Sequence, residues 1–398
     1  MLFQLIGWKQ TAGAVSVAWD KIQNDGILPD YDTLNLTWVL SDCVINVDAG
    51  SVIDWVDSGA NVVLGPGCSA SAVISGSVAK YFDFPLVIWA PTFSSKLLQA
   101  NEYPTVMSST WSSISQARTL IRLFKRYEWR DVAVVYHETK SEAIPRCVMV
   151  INDLVGLMDI KSNLTLVYRR KMKNSTNNMF KDVLRSIKDV ARVTVVCLES
   201  DQARRNLMIA IAEEGMDTNE YMWLMIETRR LGFGDVWKDT NAIPDGKDEL
   251  ALQAAKTFFV IDSEPSISSS KFVTEVKKKM QQPPFNCTDC NAIDPARCEF
   301  ICIIKKEYYQ NTSQVGELAD AMLMYANALN RSIAAGISNP TGTELVKFST
   351  GEFEGELSRI YDYLLSAVYE TVNIHKEFMT QSLHETREIS WIETSKGK

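Results

Sequence analysis

The chain has 398 residues, of which 46% are apolar and 23% charged, with a formal net charge of −8 and a pI near 5.2. That length suits two domains of ordinary size, and the composition is that of a globular protein rather than a disordered or repetitive one. The acidic balance argues against nucleic-acid and anionic-membrane partners, which need a basic surface, and the short basic runs at 168–173 and 277–279 read as solvated faces.

From Gln10 to Asn24, Val15, Ala18, Trp19 and Ile22 recur at helical spacing, and Gly26 stands where a C-terminal cap belongs. Leu36–Leu40 then reads as a strand. The apolar run Asn61–Leu64 leads through Gly65-Pro66-Gly67-Cys68 into a helix carrying Ile74, Val78, Tyr81 and Phe82, and Leu86–Ala90 is the next strand. This βαβ rhythm predicts a parallel sheet. A second alternating block follows. Its helix holds Ile114, Ala117, Leu120, Ile121 and Phe124, and its strands are Asp131–Tyr136, Leu164–Tyr168, Val193–Cys197 and Tyr221–Ile226. Between them lie a helix with Phe180, Leu184 and Ile187 and another with Leu207, Met208 and Ile211, capped by Gly215. Thr257–Ile261 is a further strand, Lys271–Met280 a helix, 281–313 a Pro/Cys-rich loop, and Val315–Leu329 the centre of a long helix ending at Gly336. The pattern over Ile360–Met379 fits strands and helix equally. The expected division is 1–126 for the first part of lobe one, 127–254 for lobe two, 255–350 for a return segment, and 351–398 for a crossover and tail.

Eight cysteines occur, at 43, 68, 147, 197, 287, 290, 298 and 302. Cys68 sits at a helix mouth and Cys43 ends the region of the preceding strand, so a disulfide between them would clamp neighbouring strand ends. Six N-x-Ser/Thr sequons, at Asn35, Asn163, Asn174, Asn286, Asn311 and Asn330, add to the case for an oxidising, secreted setting. Met1–Lys9 has no signal-peptide pattern and no segment approaches the ~20 apolar residues of a membrane span, so the expectation is a fragment of a longer exported protein. Cys287, Cys290, Cys298 and Cys302 have spacings that could seat zinc; two local disulfides of undetermined connectivity are the preferred reading. His137, His375 and His384 lack metalloprotease spacing, and no nucleotide-binding or hydrolase motif is present. Nothing demands an enzyme, and no catalytic or metal-ligating residue is assigned.

Two α/β lobes, with the chain leaving the first, building the second and returning, describe a periplasmic-binding-protein type I, or Venus-flytrap, architecture. Gly65-Pro66-Gly67-Cys68, Tyr81-Phe-Asp-Phe-Pro85, Trp89-Ala-Pro91, Tyr127–Tyr136, Ala319–Leu329 and Gly351-Glu-Phe-Glu-Gly355 resemble the ectodomains of receptor guanylyl cyclases and natriuretic-peptide receptors, the nematode-like branch above all. The resemblance covers about residues 5–357. It implies disulfides pairing Cys43 with Cys68 and Cys147 with Cys197, and a buried chloride at Ser41, Gly67 and Cys68. It also implies a central first strand of lobe one ahead of the first helix, which is not found in the sequence, and a homodimer.

Ligands of such folds bind beyond the carboxyl ends of the strands. The loops there give Pro91, Thr92, Ser94, Thr110 and Trp111 in lobe one, and His137, Glu138, Glu227 and Thr228 in lobe two, as cleft candidates. The expected function is the extracellular ligand-binding region of a single-pass receptor, sensing a peptide or small molecule and signalling to cyclic GMP production. In that reading only a membrane helix beyond this chain touches the bilayer. A soluble or clearance-type binder of the same fold, and a cytosolic α/β protein with a zinc loop, are the alternatives.

Overall fold

The computed structural model describes residues 8–89, 94–110, 112–137, 145–161, 163–228, 233–262, 268–287, 290, 305–350, 355 and 374–375. In chain order the elements begin with α1 (Trp8–Thr11), α2 (Gly13–Asn24), α3 (Ile45–Asp57), β1 (Val63–Leu64), α4 (Ser69–Tyr81), β2 (Leu86–Ile88), a 3-10 turn (Ser95–Leu98) and β3 (Val106–Ser108). They continue with α5 (Ser113–Arg126), β4 (Asp131–His137), α6 (Arg146–Lys161), β5 (Thr165–Met172), α7 (Asn177–Lys188), β6 (Val193–Cys197), α8 (Asp201–Glu213) and β7 (Met222–Ile226). α9 (Asp248–Ala255), β8 (Phe258–Ile261), α10 (Ser270–Met280), α11 (Lys305–Ala334), α12 (Gly342–Phe348) and β9 (Ile374–His375) complete the series. The chain divides into two compact units, one of residues 1–128, 138–163 and 263–371, the other of 129–137, 164–262 and 372–398.

In the first unit β1, β2 and β3 form a parallel sheet in that order, with Val63 opposite Leu86 and Leu86 opposite Val106. Period-2 alternation sorts its side chains onto two faces. Val63, Leu86, Ile88 and Val106 pack with Val52 of α3 and Ala72 and Ala79 of α4. Leu64, Val87 and Met107 pack instead with Ala14, Ala18 and Ile22 of α2, Phe272 and Val276 of α10 and the Leu318–Leu329 stripe of α11. A parallel sheet covered on both faces explains why its strands are unbroken apolar runs.

The second unit holds a six-stranded sheet ordered β5-β4-β6-β7-β8-β9, parallel except for the antiparallel β8–β9 pair. Its core is dense. Trp223 is fully buried, stacks between Tyr221 and Phe258, and donates its indole N–H to the Met216 carbonyl at 3.1 Å. Phe180 and Leu184 of α7 and Leu207, Met208 and Ile211 of α8 pack against the same sheet. Mixed α/β units with parallel sheets between helices are the fold class expected from the alternating pattern.

The expected strand at Leu36–Leu40 is not one: residues 31–41 carry no strand pairing, and Leu40 is 64% exposed. Among the described residues no strand pairs with it, and local β-propensity does not hold a lone strand in water. α3, β3, α6 and α9 were not anticipated, because their apolar stripes are short or broken by Asp and Gly. The long helix starts earlier than expected, at Lys305. Of the undecided stretch 360–379 only β9 falls within the described residues.

Candidate functional site

In the second unit the parallel strands β4, β6, β7 and β8 all end at one edge. There the chain steps from β4 to β5 on one side and to β6, β7 and β8 on the other, so the order reverses between β4 and β6. Open α/β sheets form their ligand crevice at such a reversal, because the two loops there diverge to opposite faces. His137 ends β4, with Tyr136 opposite Cys197 of β6, and Leu198, Glu199 and Ser200 continue past it. Glu227 and Thr228 follow β7 and are almost wholly buried.

Arg204 organises this edge. Ser200 caps α8 by accepting from the Ala203 amide, which sets Arg204 on the helix's first turn facing inward. Its Nε donates to the Leu198 carbonyl at 2.9 Å, and its Nη2 lies 2.7 Å from Glu227 Oε2, with Glu227 only 1% exposed. A carboxylate so buried needs a cation of this kind, since a lone charge there costs several kcal/mol. Sequence reasoning named Glu227 but missed Arg204. The signal was present: Arg204, Leu207, Met208 and Ile211 share one helical face, so the arginine points where the apolar stripe points.

Next to it, Arg205 serves the fold. It donates to both carboxylate oxygens of Asp245, at 2.6 and 2.7 Å, to Asp248 at 2.7 Å, and to the Trp237 carbonyl at 3.0 Å. The Arg205 hydrogen bond holds the Asp245 carboxyl down at about 2. The same contacts push the guanidinium well above its ordinary value.

In the first unit the corresponding edge holds Gly65–Cys68 after β1, Trp89 after β2, and Ser109 and Thr110 after β3. The Gly65–Pro66 peptide is cis, and Cys43 is bonded to Cys68 with a Cα–Cα distance of 5.8 Å. Ser41, Gly67 and Cys68 line one cavity, and Cys68 caps α4 without a side-chain hydrogen bond. Ser109 Oγ donates to the Glu317 carbonyl at 3.3 Å, while the Thr110 amide donates to Ser108 Oγ at 3.3 Å. Ser94 is buried just before the 3-10 turn. Ser95 and Ser113 hydroxyls both donate to the Asp153 carboxylate, tying α5 and that turn to α6. Pro91, Thr92, Trp111 and Glu138 lie outside the described residues.

Cys147 and Cys197 are each disulfide-bonded, and Cys287 is bonded to Cys290. That bond commits two of the four thiols a zinc loop would draw on; Cys298 and Cys302 lie outside the described residues. No His/Cys/Asp/Glu cluster that could hold a metal occurs among the described residues. Asn35, Asn163, Asn174 and Asn286 are exposed, Asn311 falls within α11, and Asn330 is partly buried in the same helix.

The family model described as receptor family ligand binding region matches residues 10–356. Receptor-type guanylate cyclase gcy-13 of Caenorhabditis elegans is 28% identical over 368 residues, which is 88% of this chain and 34% of that protein. Receptor-type guanylate cyclase gcy-14 of the same nematode is 24% identical, covering 86% and 31%. Receptor-type guanylate cyclase gcy-4 of Caenorhabditis briggsae is 25% identical, covering 71% and 26%. The chain thus spans about a third of the length of the curated relatives it matches.

Proposed function

This chain belongs to the receptor ligand-binding-region family, and on that premise we propose that it is the extracellular sensing region of a single-pass receptor guanylate cyclase. The observation that carries this reading is the extent of the match, 10–356, together with relatives that are receptor-type guanylate cyclases. Three bonded cysteine pairs' worth of oxidised thiols, at 43, 68, 147, 197, 287 and 290, support an oxidising compartment, where such bonds persist. No helix among the described residues is long and apolar enough to cross a membrane. In this proposal the membrane helix and the cyclase belong to the rest of the receptor.

Within the second unit His137, Glu227 and Thr228 stand at the carboxyl edge of the parallel sheet and are the proposed contacts for a peptide or small-molecule ligand there; within the first unit Ser94 and Thr110 are the proposed contacts at the carboxyl edge of its own sheet. Arg204 holds Glu227 in place at 2.7 Å, so the edge presents a preorganised polar wall. A chloride held by Ser41 and the Gly67–Cys68 turn fits a helix N-terminus that lacks a side-chain cap. Its role would be to fix that turn. The signal would pass through a homodimer whose protomers change their arrangement on binding.

A surface test is direct. The chain is fused through a membrane helix to a guanylate cyclase domain and tagged at its N-terminus. Antibody should reach the tag on intact cells, and the bivalent antibody, but not its monovalent fragment, should change cellular cyclic GMP. A tag reached only after permeabilisation, or a displayed fusion whose cyclic GMP is indifferent to both antibody forms, would contradict the proposal.

A further inference from the structure

The chain is acidic as a whole, but one helix is not. α5 holds Arg118, Arg122, Lys125 and Arg126 and no Asp or Glu. At 3.6 residues per turn these four cations fall within a sector of about 100°. Gln116, Leu120, Leu123 and Phe124 occupy the opposite side of the helix and are buried. Arg122, Lys125 and Arg126 are exposed and Arg118 is half-buried. The cations thus form one solvent-facing stripe, about 12 Å long from Arg118 to Arg126 at the rise of an α-helix.

Other cation-rich helices carry counter-charges close by. Lys181 and Arg185 of α7 pair with Glu213 and Glu214, each at 2.8 Å, and Lys279 of α10 pairs with Asp20. Among the described residues no carboxylate pairs with Arg118, Lys125 or Arg126. Like charges three and four residues apart on a helix repel one another. Lys125 and Arg126 lie in the last turn, where the helix dipole favours cations, so helix polarity accounts for only two of the four. The stripe is also held rigidly. Ser113 donates to the Asp153 carboxylate of α6, and the Tyr127 amide closes the last turn on the Leu123 and Lys125 carbonyls. A fixed line of cations without anions of its own is preorganised for an anionic partner.

We propose that the Arg118–Arg126 stripe binds a linear sulfated polysaccharide lying along α5. An arginine guanidinium is a planar fork of donors that matches the oxygens of sulfate and carboxylate groups. Cations recurring every three or four residues make a line rather than a pocket, which suits a chain of repeated anionic groups. A lipid surface suits it less, because Leu120, Leu123 and Phe124 point into the core and leave α5 no apolar side to insert between lipids. The choice of a polysaccharide over a nucleic acid rests on the extracellular reading; the stripe itself does not.

Calorimetric binding of a heparin octasaccharide to the full chain tests it. Affinity should fall about tenfold or more between about 50 and 200 mM salt, as counterion release predicts. Arg118→Gln/Arg122→Gln/Lys125→Gln/Arg126→Gln keeps the helix propensity of α5 and should lose about tenfold or more in affinity. Arg170→Gln/Lys173→Gln/Lys271→Gln/Lys277→Gln removes the same charge from other exposed positions and should stay within about twofold of the parent. In the unaltered chain the octasaccharide should shield Lys125 from amine acetylation and leave Lys173 and Lys277 labelled, a readout that needs no variant. Absence of binding at low salt would overturn the proposal. So would equal losses in the two variants, shielding of Lys173 or Lys277 instead of Lys125, or equally tight binding to phosphatidylcholine vesicles containing phosphatidylserine. The extracellular reading stands or falls separately, on the antibody test.

Discussion

Arg205 and Asp245 show how one buried cation sets a pH limit. The hydrogen bond from Arg205 lowers the Asp245 carboxyl to about 2, against an unfolded value of about 3.9. A depressed carboxyl contributes stability that is fully present above the unfolded value and lost as pH falls through the folded one. Asp245→Asn should therefore lower Tm at pH 7 and shrink the loss of Tm between about pH 4 and pH 2; an unchanged acid limb would show that the pair contributes nothing. Arg204→Met removes the partner of a carboxylate only 1% exposed, and should cost about 3–5 kcal/mol in denaturant unfolding, with Arg204→Met/Glu227→Gln recovering part of it. Equal costs for the single and double changes would deny the coupling. At Asn330 the sequon hydroxyl, Ser332 Oγ, is fully buried and donates to the Ile337 carbonyl at 2.8 Å. Glycopeptide mapping should find Asn35, Asn163, Asn174 and Asn286 occupied and Asn330 bare. Glu227, Thr228 and the Cys43–Cys68 pair were legible as types at telling places. Arg204 was missed although it shares a helical face with Leu207, Met208 and Ile211, because an Arg-Arg doublet in an amphipathic helix reads first as a solvated face, whereas both arginines here are buried.

Among the elements, α12 depends on one close approach. Its Thr341 and Glu344 form a capping box, the Gly342 amide donates to the Asp83 carbonyl at 2.7 Å, and Thr343 donates to Asp83 Oδ1 from both amide and hydroxyl. Burial alone would raise the Asp83 carboxyl; these Thr343 hydrogen bonds outweigh it and hold the group below its ordinary value. A Cβ on Gly342 would sit 2.7 Å from the Phe84 carbonyl carbon, which is backbone and cannot yield. Gly342→Ala should then destabilise by about 1–3 kcal/mol, whereas Gly336→Asn, at a helix end with open space around it, should cost less. The Cys43–Cys68 bond closes a loop of 25 residues, worth about 3 kcal/mol in chain entropy, so Cys43→Ala/Cys68→Ala should lower unfolding free energy by about that amount. Long helices and buried strands such as α5, α7, β4 and β6 were readable because apolar periodicity persists over three or more turns or a whole strand. Leu36–Leu40 misled because its alternation is that of a strand, whereas pairing depends on a neighbour remote in sequence. α3 was hidden because only Asp48 and Val52 of its thirteen residues are buried.

For the whole molecule, parallel sheets between helices, oxidised cysteines and a family match over 10–356 place the chain among receptor ligand-binding regions. The alternation of strands and helices made the α/β class legible from the sequence, and the Gly65–Cys68 turn with its neighbouring segments made the family legible. The ligand was not, because fold constrains where a ligand sits and only local side chains decide which one. The receptor-type guanylate cyclases that the chain resembles are about three times as long as the matched region. The measurement that bears most directly on the extracellular receptor reading is a non-reducing peptide map, with glycan analysis and zinc content, of the chain secreted from animal cells behind an added signal peptide. The account predicts Cys43 linked to Cys68, Cys287 linked to Cys290, Cys147 and Cys197 oxidised, glycans on the exposed sequons and no zinc. Free thiols at these positions with one bound zinc would contradict it.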